Sequence, residues 1–369
     1  MKGNKMSQTI YQKLRAQLDQ YSTGFPESKS GIEYQILERL YTEEQASMYL
    51  DLTLMLEDSD SIAGRTGRDP EKTAEILNGM FEKGLVFRIK KNGQIRYGAV
   101  PFVVGSYEFQ LKSMDKELAE MLEKYFNEAM LSNISDNIPP LRTIPVNQSI
   151  DVNHKVAPYA DAKNIIESKE IIAVADCICR KQQGLLDKGC GKPLEVCLIF
   201  GSHANYYVDK KMARFIDKEE AKAILDKCEE AGLVNQPASM VNPGGMCNCC
   251  GDCCGVLRGL NMQPKPSEMV CNNYFAIVEP DDCTGCEECL DRCQMTAIVM
   301  NDDDLAEINP DRCIGCGLCV TTCPGDAISL KLKPEELHQM PPANGKDLME
   351  ITAKKRGTSL MPLKMIENQ

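Results

Sequence analysis

No run of apolar residues in the chain approaches the ~18 positions that a membrane-spanning helix requires, and Met1-Lys2-Gly3-Asn4-Lys5 leads into polar residues without the apolar stretch of an export signal. The expectation is a cytoplasmic protein. No Gly-x-Gly-x-x-Gly follows a strand and no Gly-Lys-Ser/Thr loop is present, so neither dinucleotide nor nucleoside-triphosphate binding has support. No Ser-His-Asp set and no pair of catalytic carboxylates stands out, so the chain lacks evident hydride or hydrolytic chemistry of its own. Positive charge is also short: the net charge is -12, which disfavours broad adhesion to nucleic acid or to anionic membrane. Tryptophan is absent, a gap without functional weight.

Cysteine is abundant instead. Nineteen occur in 369 residues, and without an export signal they point to a reducing cytosol, as in an anaerobe, rather than to disulfides. An apolar share of 43% supports ordinary cores in two or three domains. Eight of the cysteines repeat one spacing, Cys283-x2-Cys286-x2-Cys289-x3-Cys293 and Cys313-x2-Cys316-x2-Cys319-x3-Cys323-Pro324. Three cysteines at every third residue wrap one face of a cluster, and the fourth is thrown far enough to reach the neighbouring one. That is the pattern of an electron carrier. Zinc would need only four ligands per site and gives no reason for a third cysteine at the same pitch. Short apolar segments flank each run, Ala276-Ile277-Val278 and Ala297-Ile298-Val299 around the first, Glu307-Ile308 and Ala327-Ile328-Ser329 around the second, and predict strands bounding each loop. Asp302-Asp303-Asp304 between them reads as a solvated turn.

The segment 275–332 resembles a bacterial-type two-cluster ferredoxin domain, over about a sixth of the chain. The resemblance implies one 4Fe-4S cluster on Cys283, Cys286, Cys289 and Cys323 and another on Cys313, Cys316, Cys319 and Cys293. Gly285, Gly315 and Gly317 suit backbone that curls close to sulfur. Gln294 stands where the first run of the family pattern has proline.

Residues 1–140 read as a helical, winged-helix-like domain. A helix follows Asp69-Pro70 with Ile76, Leu77, Met80 and Phe81 on one face and ends at Gly84. Two strands, Leu85 to Ile89 and Gln94 to Tyr97, then flank Asn92-Gly93, a tight hairpin turn. With a short helix at Ser61 to Thr66 the order resembles a winged helix. A DNA reader would place the helix from Glu71 to Lys83 in the major groove, yet Glu71, Glu75 and Glu82 outnumber Lys72 and Lys83 there, which argues against DNA and for protein docking or a structural role. Leu111 to Leu131 reads as a further amphipathic helix, and Pro139-Pro140 with Pro145 as the domain boundary.

Residues 141–274 hold the remaining eleven cysteines in what reads as a cysteine-rich α/β domain. The strand Ile171 to Ala175 ends at Cys177 and Cys179, Cys190 lies between the strands and Cys197 is on the strand Val196 to Phe200, so that the four could converge with no helix between. Cys247, Cys249, Cys250, Cys253 and Cys254 lie in one glycine-bracketed loop. Cys247 and Cys250, and Cys250 and Cys253, have chelating pitch. Cys249-Cys250-Gly251 resembles the Cys-Cys-Gly signature of heterodisulfide-reductase-type subunits, but the wider spacing departs from it and that activity is not carried over. One or more additional iron-sulfur clusters on these nine cysteines is the first expectation, with structural zinc or a redox-active thiol pair as alternatives; Cys247, Cys250, Cys177 and Cys197 head the ligand candidates. Cys228 aligns with Ala221, Ile224 and Leu225 on a helix from Lys218 to Gly232 and reads as core. His203, alone beside tyrosines, reads as packed or solvated.

The expected whole is therefore an α+β protein: winged-helix-like domain, cysteine-rich domain, two-cluster ferredoxin domain and a C-terminal tail at 333–369. It resembles ferredoxin-fused iron-sulfur proteins of anaerobes. The expected function is electron transfer to or from a partner oxidoreductase, within a multi-subunit complex or a homo-oligomer. An iron-sulfur oxidoreductase centred on the middle cluster and a redox-sensing transcription regulator are the alternatives.

Overall fold

The computed structural model describes residues 9–133, 139–146 and 158–366. The chain forms two compact units, Met1–Met130 with Met349–Gln369, and Leu131–Leu348. The segment expected as a tail is thus divided between them.

The first unit opens with α1 (Ile10–Asp19), α2 (Ile32–Leu40) and α3 (Glu43–Tyr49). Thr9 and Gln12, and Thr42 and Gln45, form reciprocal capping boxes that satisfy the first amides of α1 and α3. Next come α4 (Ser59–Thr66) and α5 (Pro70–Glu82), capped by Asp58 and Asp69. Ile76, Leu77, Met80 and Phe81 are buried along α5, the stripe its periodicity predicts. Gly84 then takes φ +72°, and a Cβ there would lie 2.8 Å from the Phe109 carbonyl oxygen, so only glycine fits. β1 (Phe87–Lys91) and β2 (Gln94–Gly98) pair antiparallel with Lys91 opposite Gln94, and the turn is closed by positive φ at both Asn92 and Gly93. The helix expected over Leu111 to Leu131 begins later: α6 (Lys116–Tyr125) starts where Asp115 caps the Leu118 amide, and a π-helical turn at Phe126–Met130 carries it on to the expected end. From the C-terminal segment Arg356 donates to the Asp19 carbonyl at 2.6 Å and Lys364 to Asp51 Oδ1 at 2.6 Å, which ties that segment into this unit.

The second unit is built on a five-stranded sheet. Along the chain run α7 (Ala162–Glu167), β3 (Ile172–Asp176), α8 (Ile178–Leu185), β4 (Glu195–Phe200), α9 (Gly201–Asp209), β5 (Ala213–Ile216), α10 (Lys218–Glu230), β6 (Val234–Pro237) and β7 (Gly245–Cys249). The strands lie in the order β5-β3-β4-β7-β6 and every pairing is antiparallel. The α/β architecture expected for this region is therefore corrected to α+β. Helix α8 is capped by Cys177, carries Cys179 in its first turn and runs between them and Cys190, which also corrects the expectation of a helix-free junction. The proline stretch taken as a boundary works as a sheet edge instead: Arg142 and Ile144 donate their amides to the carbonyls of Pro237 and Asn235 on β6.

One face of the sheet buries Val174, Leu198, Phe200 and Met246 against Ile165, Ile166, Ile224, Leu225 and Cys228 of α7 and α10. Cys228 is fully buried, as its position on α10 predicts. The other apolar cluster joins Val234 and Cys249 to Leu257 and Leu260 of α11 (Gly255–Asn261), and continues into the C-terminal repeat through Met295, Ile314 and Leu318. After α12 (Pro266–Met269), the repeat contains β8 (Tyr274–Val278), α13 (Glu288–Arg292), β9 (Ile298–Met300), β10 (Ala306–Ile308) and β11 (Ile328–Leu332). β8 pairs with β11 and β9 with β10, both antiparallel. These are the four flanking strands that the sequence repeat predicts. Exposed Asp302 and Asp303 lie in the β9–β10 turn, where Asp304 takes φ +57°.

Candidate metal centres

All nineteen cysteines are free thiols, and all but Cys228 and Cys271 gather in three places. In the C-terminal repeat, the sulfurs whose charge acts on Cys289 are those of Cys286, Cys323 and Cys283. Those acting on Cys319 are Cys316, Cys313 and Cys293 first, then Cys289. Each run is thus joined by the last cysteine of the other. The N–H of Ala276 points at Cys313 Sγ (3.5 Å), that of Ala306 at Cys283 Sγ (3.5 Å) and that of Ala297 at Cys293 Sγ (3.2 Å), the donors that stabilise thiolate bound to metal. Burial pushes the thiols of Cys289, Cys293 and Cys319 up, and that of Cys316 to about 12, so these sulfurs are uncomfortable as bare anions and suited to metal, which displaces the proton. No thiol–thiol hydrogen bond joins any two of the eight. Their spacing suits a polynuclear cluster, in which each thiolate binds a different iron.

The loops around these sulfurs need glycine for a specific reason. A Cβ on Gly285 would lie 2.6 Å from the Asp304 carbonyl oxygen, and one on Gly315 2.2 Å from that of Tyr274. Both residues also have positive φ, as does Gly317. Gln294 has a role that proline could not fill. Its Oε1 accepts the Gly251 amide at 2.7 Å and its carbonyl accepts Asn261 Nδ2 at 2.9 Å. Arg292 adds bonds of 2.7 Å to the carbonyls of Glu229 and Glu230 at the end of α10.

The middle cysteines divide into two groups, and strand periodicity accounts for the division. Side chains alternate faces along β7, so Cys247 and Cys249 share one face while Cys250, just past the strand, turns to the other. Cys197 on β4 meets Cys247. A string of hydrogen-bonded thiols runs from Cys177 through Cys179, Cys254, Cys249 and Cys247 to Cys197. Cys177 is the N-cap of α8 and Cys254 the N-cap of α11; the hydrogen bond to Cys179 and burial push the Cys177 thiol well up. The second group is Cys190, Cys250 and Cys253, whose sulfurs all lie within 4.8 Å of one another, with Cys190 and Cys250 3.6 Å apart. The four leading ligand candidates are therefore not one set: Cys177, Cys197 and Cys247 belong to the string, Cys250 to the trio.

Hydrogen bonding shifts the thiols within these groups in both directions. Bonds from Cys197 and Cys249 hold the Cys247 thiol well below the usual range. Cys253 brings Cys250 to about 5, with Arg180 assisting, and Cys179 and then Cys249 bring Cys254 to about 5. The donors shift upward in turn, Cys249 through its bond to Cys247 and Cys253 through its bond to Cys250. Arg180, 5% exposed, reaches Cys250 Sγ at 3.8 Å and the Asn248 carbonyl at 3.1 Å. It follows Cys179 directly in sequence and is the charged partner that spacing arguments passed over. The buried side-chain oxygen of Gln236 lies 3.9 Å from Cys254 Sγ. His203 is on an exposed part of α9 beside Gly244.

No helix among the described residues is long and apolar enough to cross a membrane. No curated protein and no solved structure matches the chain. Residues 276–330 match the family model described as a 4Fe-4S dicluster domain. The C-terminal repeat is thus a ferredoxin-like iron-sulfur region, and its general role is electron transfer.

Proposed function

We propose that the protein passes low-potential electrons between a partner oxidoreductase and two 4Fe-4S clusters. The first is held by Cys283, Cys286, Cys289 and Cys323, the second by Cys313, Cys316, Cys319 and Cys293. The observation that carries this reading is the crossed grouping of the eight thiols with backbone amides aimed at three of them. The six-thiol string holds a further iron-sulfur centre. The apolar cluster that Cys249 and Cys254 share with Cys289, Cys313 and Cys319 supports electron exchange between that centre and the ferredoxin-like clusters. The protein works in the cytoplasm as an electron-transfer component rather than a complete enzyme. Anaerobic reduction of the full chain should give the spectrum of two magnetically interacting 4Fe-4S clusters, and a chain that binds no iron or sulfide would refute the proposal.

The order α4, α5, hairpin supports a winged-helix reading of the first unit, with a protein partner rather than DNA as its target. The cations around α4 and α5 are already engaged: Arg65 with Glu57 at 2.8 Å, Lys72 with Glu44 at 2.6 Å, and Arg68 with Asp51. Arg88 lies over the Phe81 ring at 3.3 Å. Lys90, Lys91 and Arg96 on the exposed hairpin make a small set of phosphate contacts for DNA affinity. Mobility-shift assays at near-physiological salt should show no specific complex. A sequence-specific complex that changes with cluster oxidation and weakens when Lys90 and Lys91 are replaced would favour a redox-sensing regulator.

A further inference from the structure

The trio Cys190, Cys250 and Cys253 differs from every other thiol group in the protein by its compactness. It is the one set of three candidate ligands among the described residues whose donor atoms all fall within 4.8 Å of one another. A metal–sulfur bond of about 2.3 Å in a tetrahedron places neighbouring sulfurs about 3.8 Å apart. The Cys190–Cys250 separation of 3.6 Å agrees with one ion shared by both sulfurs. A cubane would spread its thiolates over separate irons and set them much farther apart; in neither the C-terminal repeat nor the six-thiol string do three sulfurs all fall within 4.8 Å of one another.

We infer that Cys190, Cys250 and Cys253 bind a single tetrahedral Zn2+, with a water in an exchangeable fourth position. Three features support this site. No fourth cysteine, histidine or carboxylate joins the trio among the described residues, and three protein ligands plus an open position is the pattern of reactive rather than structural zinc. Access is available on one side: Cys190 is half-exposed, Cys250 and Cys253 are buried, and the neighbouring Gly191 has open space around it. Charge also balances. Three thiolates on a dication leave one net negative charge, and the buried guanidinium of Arg180 beside Cys250 offsets it, which a low-dielectric site requires. Binding releases the protons of the thiols to solvent and involves no change of oxidation state. The site requires none of the iron-sulfur assignments.

Full-length protein purified anaerobically, without chelators or thiol buffers, should contain one zinc per chain in addition to its iron. X-ray absorption at the zinc edge should give three sulfurs at about 2.3 Å and one oxygen or nitrogen. Cys253→Ser should lose that zinc with iron and sulfide unchanged, whereas Cys228→Ser, at a buried core position outside the trio, should keep it. Absence of zinc, a four-sulfur zinc shell, or loss of iron rather than zinc from Cys253→Ser would overturn the inference. Should Cys253→Ser fail to fold, the absorption spectrum of the unsubstituted protein decides the matter alone. Failure of the ferredoxin-like clusters would appear as missing iron and leave the zinc result standing.

Discussion

Crossed ligation in the C-terminal repeat can be tested by combining substitutions. Cys293 belongs to the first run by sequence, yet its charge is felt by Cys316 and Cys319 of the second, while Cys323 acts on Cys289. Cys293→Ser should therefore remove about four of the repeat's about eight irons, and they should be those of the second run. Exchanging sulfur for oxygen at this half-buried position costs the fold about 1 kcal/mol, small beside a typical stability of about 5–15 kcal/mol, so iron loss will not reflect unfolding. Two double variants then discriminate. Cys293→Ser with Cys316→Ser strikes one cluster twice and should retain about four irons, whereas Cys293→Ser with Cys286→Ser strikes both and should retain almost none. Iron and sulfide analysis of the C-terminal repeat's contribution, with electron paramagnetic resonance of the reduced protein, reads the outcome. The reverse pattern, with the Cys286 pairing retaining iron and the Cys316 pairing losing it, would refute crossed ligation.

Gly315→Ala places a Cβ 2.2 Å from a backbone oxygen at φ +64°, whereas Gly67→Ala, at φ +67°, meets nothing within 4 Å. Thermal unfolding should show a loss of about 1–2 kcal/mol for Gly67→Ala and a larger loss, with cluster damage, for Gly315→Ala; equal losses would contradict the steric account. Gln294→Ala strips the Gly251 amide of its acceptor and should cost about 1–3 kcal/mol, measured by denaturant unfolding of the intact chain. Burial raises the Glu229 carboxyl above its ordinary 4.5. The folded state therefore prefers it protonated, and its stabilising contribution is full below the unfolded pKa and lost as pH rises through the folded one. Glu229→Gln should raise the melting temperature at neutral pH, with the gain vanishing below about pH 4; a gain independent of pH would exclude titration as its cause.

Much of the fold was legible because single residues decide it locally. Asp69-Pro70, Gly84 and Asn92-Gly93 each leave the backbone few options, and α5 and the hairpin fall where these residues put them. The C-terminal strands could be read because the repeat supplies each one twice. The middle sheet was harder. Its strand segments were visible, but antiparallel order depends on contacts between β3, β4 and β7 that no local pattern records. The partition of the nine thiols was hidden for a related reason. Chelating pitch ignores strand alternation, which separates Cys247 from Cys250 although they are only three residues apart. Gln294 was visible as a departure from a pattern, but its partner Gly251 lies far away in sequence and only folding brings the two together.

The strand pairing of the C-terminal repeat has a historical consequence. β8, ahead of the first cysteine run, pairs with β11 beyond the second, and β9 with β10 across the midpoint. The amide of Ala276, in the first half, serves Cys313, and that of Ala306, in the second, serves Cys283. Neither half completes a sheet or a sulfur cradle alone. A primitive chain with a single copy of this unit would have been a fragment in solution, able to fold only by clasping an identical neighbour. Joining two copies end to end would have made that encounter independent of concentration, and would have freed each half to diverge, as Gln294 and Pro324 now do at equivalent positions.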